Sequence, residues 1–386
     1  MPAPPEVTLV AHDIGPVGGM ERQLSQLALG LRRSGHEVTV IARTCELPAG
    51  SGVHVHRVWA PRRPFLLGYA WWMLMGSLAL ARHRRGIVQT AGAIVMNRVD
   101  VVAVHCCHQV YRPPAAGDGL LGRAYAELVS LVKRVAERVC FTANTGARFV
   151  CVSNGVADEI REHYPRAAAR VLTIHNGVDL ELFAPGARHE DGLALRAQLG
   201  IAAERPLLAF VGGSWEHKGL PALIGALAQA RDWDLVVAGH GNPQRYEEQA
   251  RALGVENSVH WLGVVRDILP VYAAADAFAL PSLYETFSLV TFEAAACGLP
   301  ILATPVSGIR ELIADGESGY LIDRDPARIA ERLTRLAADP ALRRRLGENA
   351  RTAALAFSWE RMIGAHEELY ERLAPARAAA ATPALD

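Results

Sequence analysis

"PLLAFVGGSWEHKGLPALIGAL", residues 206–227, changes character twice within 22 positions. An apolar run, too short for a helix, ends in Gly212 and Gly213. After Lys218 and Gly219 the apolar residues return at helical spacing. A continuous apolar run is the mark of a strand buried on both faces, and a strand, glycine turn and helix in succession form one βα unit of a parallel sheet. The scheme recurs downstream in "WDLVVAGHG" (233–241), "SVHWLG" (258–263), "AFALPS" (277–282) and "PILAT" (300–304). It also recurs upstream in "EVTLVAH" (6–12), "HEVTVIA" (36–42), "VDVVAVH" (99–105), "RFVCVS" (148–153) and "RVLTIHNG" (170–177). Two such series in one chain predict an α/β protein of two doubly wound domains. The expected limits are 1–180 and 181–357, with the join inside 180–200, where Pro, Gly and mixed charge cluster. The amphipathic stretch 358–373 is expected to rejoin the first domain, leaving 374–386 as a frayed, low-complexity tail.

The 386 residues suffice for two cores, and 51% of them are hydrophobic. Forty basic residues balance forty acidic ones, which argues against a partner held by bulk charge such as a nucleic acid. Only Lys133 and Lys218 are lysines; arginine fills the other 38 of the 40 basic positions. Cys45, Cys106, Cys107, Cys140, Cys151 and Cys297 lie in apolar contexts without metal-site spacing, as buried thiols of a reducing compartment do. "MPAPPEVTLVAHD" at the start lacks the basic-then-apolar pattern of a secretory signal, so a cytoplasmic location is expected. "FLLGYAWWMLMGSLALA" (65–81) carries no charge and is flanked by Arg62, Arg63, Arg82, Arg84 and Arg85. It reads first as a buried crossover helix, and alternatively as an interfacial helix in peripheral contact with the inner membrane face.

Ligands of open parallel sheets bind beyond the carboxyl ends of the strands. Four loops have that address. "AHDIGPVGGMERQLSQLALGL" (11–31) offers Gly18 and Gly19 at a helix start, and the 206–227 unit offers Lys218 at another, a point charge suited to a diphosphate. "SLYETFSLVTFEAAACGLP" (282–300) places Glu285 and Glu293 eight positions apart in an otherwise apolar stretch. Ser288 is the expected N-cap of the helix there, with the free amides of Leu289 and Val290 facing a phosphate. Ionised carboxylates accept paired hydrogen bonds from vicinal hydroxyls, so the pair suits a nucleotide-sugar. "VAVHCCHQVYRPP" (102–114) carries His105 and His108. Neighbouring side chains of an extended strand point to opposite faces, so its His-Cys-Cys-His run is a poor metal site. "DWD" (232–234) and "DRD" (323–325) match a D-x-D metal motif in letters only, in surface-like contexts; no metal and no cofactor are expected.

Taken in order, Gly18–Gly19, "HNGVD" (175–179), Lys218–Gly219, the glutamates Glu285 and Glu293, and "GIRELI" (308–313) resemble the motifs of retaining glycosyltransferase family 4, including bacterial lipopolysaccharide-core enzymes, over about residues 7–373. The resemblance implies a GT-B fold: two Rossmann-like domains with a cleft between them. It implies a UDP- or GDP-linked sugar donor and a carbohydrate, lipid-linked or small-molecule acceptor. By the same resemblance Glu293 would bind the ribose and Glu285 the transferred sugar. Lys218 and the amides at Ser288, Leu289 and Val290 would hold the diphosphate, with Thr286 and Phe287 beside them. Backbone at Val264, Val265 and Arg266 would read the base. Catalysis would fall to Glu285, Lys218 and His105, with His108 toward the acceptor. The chain departs from the pattern twice: Gly213 stands where many members have an arginine, and Thr286 where a glycine is usual. The rival readings are a nucleotide-sugar epimerase on the same fold and a non-catalytic nucleotide- or carbohydrate-binding protein.

Overall fold

The computed structural model describes residues 4–111 and 120–381. Among the described residues thirteen strands form two wholly parallel sheets. The first holds β1 (Val7–Ile14), β2 (Val38–Cys45), β3 (His54–Arg57), β4 (Ile87–Ala91), β5 (Val101–Val104), β6 (Arg148–Cys151) and β7 (Val171–Thr173), in the order β3-β2-β1-β4-β5-β6-β7. The second holds β8 (Leu207–Val211), β9 (Asp234–Ala238), β10 (Val259–Gly263), β11 (Ala277–Leu280), β12 (Ile301–Ala303) and β13 (Gly319–Leu321), in the order β10-β9-β8-β11-β12-β13. In both sheets the order reverses once, between β1 and β4 and between β8 and β11. Those are the switch points where loops part and leave a crevice. The ten strand runs read from the sequence all become strands. The three additional ones are β3, β4 and β13.

The chain divides into one compact unit of residues 1–177 and 359–386 and another of residues 178–358. The passage from the first to the second falls inside "HNGVD", and Val178 then pairs with Ser358, its amide donating to the Phe357 carbonyl at 2.9 Å. The stretch 180–200, read as the join, instead carries the helix His189–Leu199 of the second unit. Its Arg196 is buried and donates to the carbonyls of Ala202, Ala203 and Ala274, so its polarity is structural. The helix Trp359–Ala381 belongs to the first unit, where Tyr370 is fully buried and donates to Gln89 at 2.8 Å. That helix continues eight residues beyond the expected limit of 373, so the tail is helical as far as Ala381, and residues 382–386 lie outside the described residues.

The helix Phe65–His83 is long and apolar enough to cross a membrane, and most of its residues are not buried within the protein. Gly68, Trp72, Gly76, Ser77 and Leu80 face the protein, whereas Leu67, Trp71, Leu74 and Leu78 are exposed. The reading of a buried crossover helix therefore holds for one side of it only.

Candidate active site

The second unit gathers its chemistry at the switch point between β8 and β11. After β8, Lys218 Nζ donates to Glu285 Oε1 of the β11 loop at 2.7 Å. The same oxygen accepts from Ser282 Oγ at 2.8 Å, and both members of the ion pair are largely shielded from solvent. The two loops are also joined by backbone. Leu283 donates to the His217 carbonyl at 2.9 Å, and His217 Nε2 lies 3.2 Å from the Tyr284 carbonyl. Gly219 permits this approach: its φ is +83°, and a Cβ there would stand 2.1 Å from the Pro281 carbonyl oxygen. Any other residue would push the lysine loop off the glutamate loop.

Phe287 holds the glutamate loop down. It is buried and stacked on Phe292 of the helix Leu289–Ala296 at 3.9 Å between ring centroids, with Phe357 edge-on to Phe292. The expectation of a donor contact from Phe287 is thus corrected for its side chain, which is core. Ser288 does stand at the N-cap position, but its φ of +68° turns the hydroxyl away from the helix amides and toward Thr291 Oγ1, 2.9 Å off. Expected capping by this serine does not occur. The first-turn amides of Leu289 and Val290 still lack a preceding turn of helix to accept them. Within the helix, Glu293 is 3% exposed and accepts from the Tyr272 hydroxyl at 3.1 Å. Burial, reinforced by the Glu293 charge, pushes the neighbouring Cys297 thiol up to about 12.

Gly213 explains its own departure from the family pattern. A Cβ on it would fall 2.3 Å from the His240 ring, so the imidazole from the loop after β9 fills the space where a larger side chain would start. His240 was not legible in the sequence beyond its place between two glycines at a strand end. Thr286 is partly exposed beside the ion pair, and Val264, Val265 and Arg266 lie in the loop after β10, where Val264 is 75% exposed.

Gly18, Gly19, His105 and His108 belong to the other unit. Gly18 (φ +95°) precedes the helix Gly19–Arg33 at the carboxyl end of β1. His105 and His108 follow β5 and line a cavity of about 590 Å³ together with His12, Asp13, Arg43 and Glu137. Lys133 also lines it, 4.8 Å above the Phe65 ring, so the chain's two lysines both stand at candidate ligand sites. Burial holds His105, His108 and His12 down at about 4, leaving neutral imidazoles at pH 7. His105 Nε2 lies 3.4 Å from Gln23 Oε1. Asp13 pairs with Arg43 and Thr44. Burial lifts Asp13 and those partners overcome it, so its pKa ends below the ordinary value.

Glu137 is the residue that sequence reasoning missed altogether, since nothing in a helical "VAERV" marks one carboxylate as buried. It accepts from the Tyr164 hydroxyl at 2.8 Å and from the His108 amide at 3.1 and 3.2 Å. Burial raises its pKa to about 7 against those hydrogen bonds. The folded state therefore holds a proton that the unfolded chain has released, between the ordinary value near 4.5 and about 7. Stability from this group falls as pH rises through that window. Glu137→Gln carries no such cost, so its stability relative to wild type should improve by about 3 kcal/mol from pH 4.5 to 7. Urea unfolding of both proteins at the two pH values measures this; a constant difference would contradict the burial argument.

The D-x-D segments resolve into structure. Asp325 caps the helix Pro326–Ala338 by accepting from Ala327, and Asp323 accepts from the Asp325 amide at 3.0 Å. Asp234 is buried rather than superficial as the sequence reading had it, and it pairs with Arg205 and His260. All six cysteines are free.

Residues 17–182 match the model of Glycosyltransferase Family 4, and residues 193–353 that of Glycosyl transferases group 1. A D-inositol 3-phosphate glycosyltransferase of Actinosynnema mirum is 33% identical over 90% of this chain and 90% of its own length. The chain belongs to glycosyltransferase family 4. A second relative of the same name, from Xylanimonas cellulosilytica, shares 30% identity with the glycosyltransferase over 95% of this chain and 94% of its own. Among solved structures, WaaG, a glycosyltransferase involved in lipopolysaccharide biosynthesis, superposes with a TM-score of 0.75 at 22% identity, covering 94% of this chain and 99% of that one. Anabaena HepE in complex with UDP-glucose gives 0.73 at 23%, covering 95% and 99%. At those identities the likeness establishes the fold alone, and it is GT-B. The glycosyltransferase has both Rossmann-like units of that fold, each with a single switch point.

Proposed function

We propose that this glycosyltransferase moves a sugar from a UDP- or GDP-linked donor to a hydroxyl acceptor, with retention at the anomeric carbon and without a metal ion. The observation that carries the reading is the Lys218–Glu285 pair at the β8/β11 switch point. Lys218 uses one of its three donors on Glu285, so it can keep that contact while another hydrogen meets a phosphate oxygen. Glu285 Oε2 has no protein partner among the described residues and is open to sugar hydroxyls. Glu293, fixed by Tyr272, would accept the ribose hydroxyls, and the Val264–Arg266 loop would read the base. The relatives named D-inositol 3-phosphate glycosyltransferase and the HepE complex with UDP-glucose support a nucleotide-sugar donor and a polyol or sugar acceptor. The histidine- and carboxylate-lined cavity of the first unit fits the acceptor, with His105 and His108 as its neutral hydrogen-bonding groups. The six free thiols support a reducing, cytoplasmic location.

In the transfer step the bond from C1 to the β-phosphate oxygen breaks, the acceptor oxygen bonds C1 on the same face, and its proton passes to the departing phosphate. Charge grows on the diphosphate as that bond lengthens. The Lys218 ammonium and the first-turn amides of Leu289 and Val290 would meet it. Glu285, held through Oε1 by Lys218 and Ser282, positions the sugar with its other oxygen. Nothing favours the epimerase or the non-catalytic reading.

Among the described residues no three His, Cys, Asp or Glu side chains converge as metal ligands. Turnover should therefore persist in EDTA. Nucleoside diphosphate release from a donor panel, with the product's anomeric configuration read by NMR, tests both points. Loss of turnover on chelation with recovery in Mn²⁺ or Mg²⁺ would reverse the metal assignment, and an inverted product would reverse the stereochemical one.

A further inference from the structure

The exposed side of the helix Phe65–His83 is not an isolated stripe. Leu67, Trp71, Leu74 and Leu78 run along it at helical spacing, all exposed. Trp59, 72% exposed, stacks edge-on against Trp71 at 5.9 Å and accepts its indole hydrogen through the backbone carbonyl at 3.0 Å. A second row, Leu128, Leu131, Val135 and Val139, stands exposed on the helix Leu120–Ala143. Between the two helices lies an apolar groove of about 470 Å³, to which Met73 contributes from one, Leu131, Val135 and Val139 from the other, and Met96, 64% exposed, from the loop after β4. Monomers seldom leave large contiguous apolar patches exposed, and such patches mark interaction sites.

We infer that this face of the first unit docks on an anionic membrane surface, lying in the headgroup region rather than spanning the bilayer. Spanning is ruled out by the opposite side of the first helix, where Trp72 and Leu80 are fully buried in the protein. A helix with a core on one side and an apolar stripe on the other has the form to lie in the interface plane without crossing the bilayer. Tryptophans at the edge of the patch suit the polar-apolar boundary, since the ring is apolar and its N–H is a donor. Charge selects the lipid. Arg63, Arg82, Arg85, Arg123 and Arg138 are exposed at or beside the two helices, whose only exposed acidic residue is Glu127. A second copy of the chain would bring the same arginines face to face across a two-fold axis, which like charges oppose. A bilayer bearing acidic headgroups meets them with opposite charge. This inference does not depend on the donor-site assignment.

The test is flotation of the full chain with vesicles of phosphatidylcholine alone and of phosphatidylcholine with about one-third phosphatidylglycerol. Binding is expected with the acidic vesicles and at least about tenfold less with the neutral ones. Arg82→Glu with Arg138→Glu should weaken binding by more than the roughly fivefold that each arginine supplies. Leu74→Glu with Leu131→Glu should abolish it. Circular dichroism and nucleoside diphosphate titration of the variants confirm that the fold and the other unit's site persist. The inference is overturned if the wild type stays with neither vesicle, binds both equally, or binds as tightly after either pair of changes. It is also overturned if light scattering shows a dimer that Leu74→Glu with Leu131→Glu dissolves, for the face would then join copies of the chain.

Discussion

Lys218→Arg should lower turnover on the order of 10²-fold, and Lys218→Ala at least as much. The chain itself makes the arginine variant informative. It uses arginine at 38 of its 40 basic positions, so a merely solvated cation at 218 would tolerate the change without effect. The structure puts the ammonium in a confined place instead. It is mostly shielded, held at 2.7 Å by Glu285, and its stem lies so close to Gly212 that a Cβ there would stand 2.6 Å from Lys218 Cδ. A planar, longer guanidinium cannot put its charge where the ammonium sits. Steady-state turnover with folding checked by circular dichroism measures the effect. An arginine variant within about twofold of wild type would remove Lys218 from the phosphate site, because RT ln 2 is far below the worth of a charged contact.

The two glutamates should separate kinetically. Glu293→Ala removes a fixed acceptor and should raise the donor KM by about 10- to 100-fold, the worth of roughly 1.5 to 3 kcal/mol for a charge-assisted hydrogen bond. Part of that loss will come from the orphaned Tyr272 hydroxyl, so Glu293→Gln, which keeps an acceptor for it, is the necessary companion. Glu285→Gln should instead lower kcat by about 10-fold or more with a smaller change in KM. It retains the Ser282 hydrogen bond but releases Lys218 from its partner. Equal, wild-type kinetics in both folded variants would show that neither carboxylate touches the donor.

Much of this was legible because parallel strands leave a strong trace. A strand covered on both faces must be apolar almost throughout, as "LLAFV" is and "DLVVA" is after its first residue, whereas a helix buries its apolar residues at a period of 3.6. The strands that escaped notice break the trace for identifiable reasons. β4, "IVQTA", buries Gln89 and Thr90 at its centre, and Gln89 is tolerated there because Tyr370, from the far end of the chain, donates to it. β3, "HVHR", is an edge strand largely open to solvent, and β13, "GYL", opens on a glycine and holds no β-branched residue. The glutamates, the lysine and the glycines of the second unit could be found because loops at strand ends are local features. Their contacts could not. That Lys218 grips Glu285 across 67 positions depends on β8 and β11 being neighbours, an outcome of sheet order. The same holds for Glu137, which meets the histidine loop only through the fold, and for Ser288, whose left-handed backbone overrides its preference for capping. Composition misled in one respect: an uncharged 17-residue run reads as core, but one side of it is exposed.

The most direct test is calorimetric titration of the full chain with UDP, GDP and ADP, repeated on Lys218→Ala and Glu293→Ala. The account predicts that UDP or GDP binds the wild type. It predicts at least about tenfold weaker binding by each variant, and unchanged binding by Glu137→Gln, whose substitution lies in the other unit. Failure of UDP and GDP to bind, or binding that survives loss of both the ammonium and the carboxylate, would contradict the placement of the donor at the β8/β11 switch point.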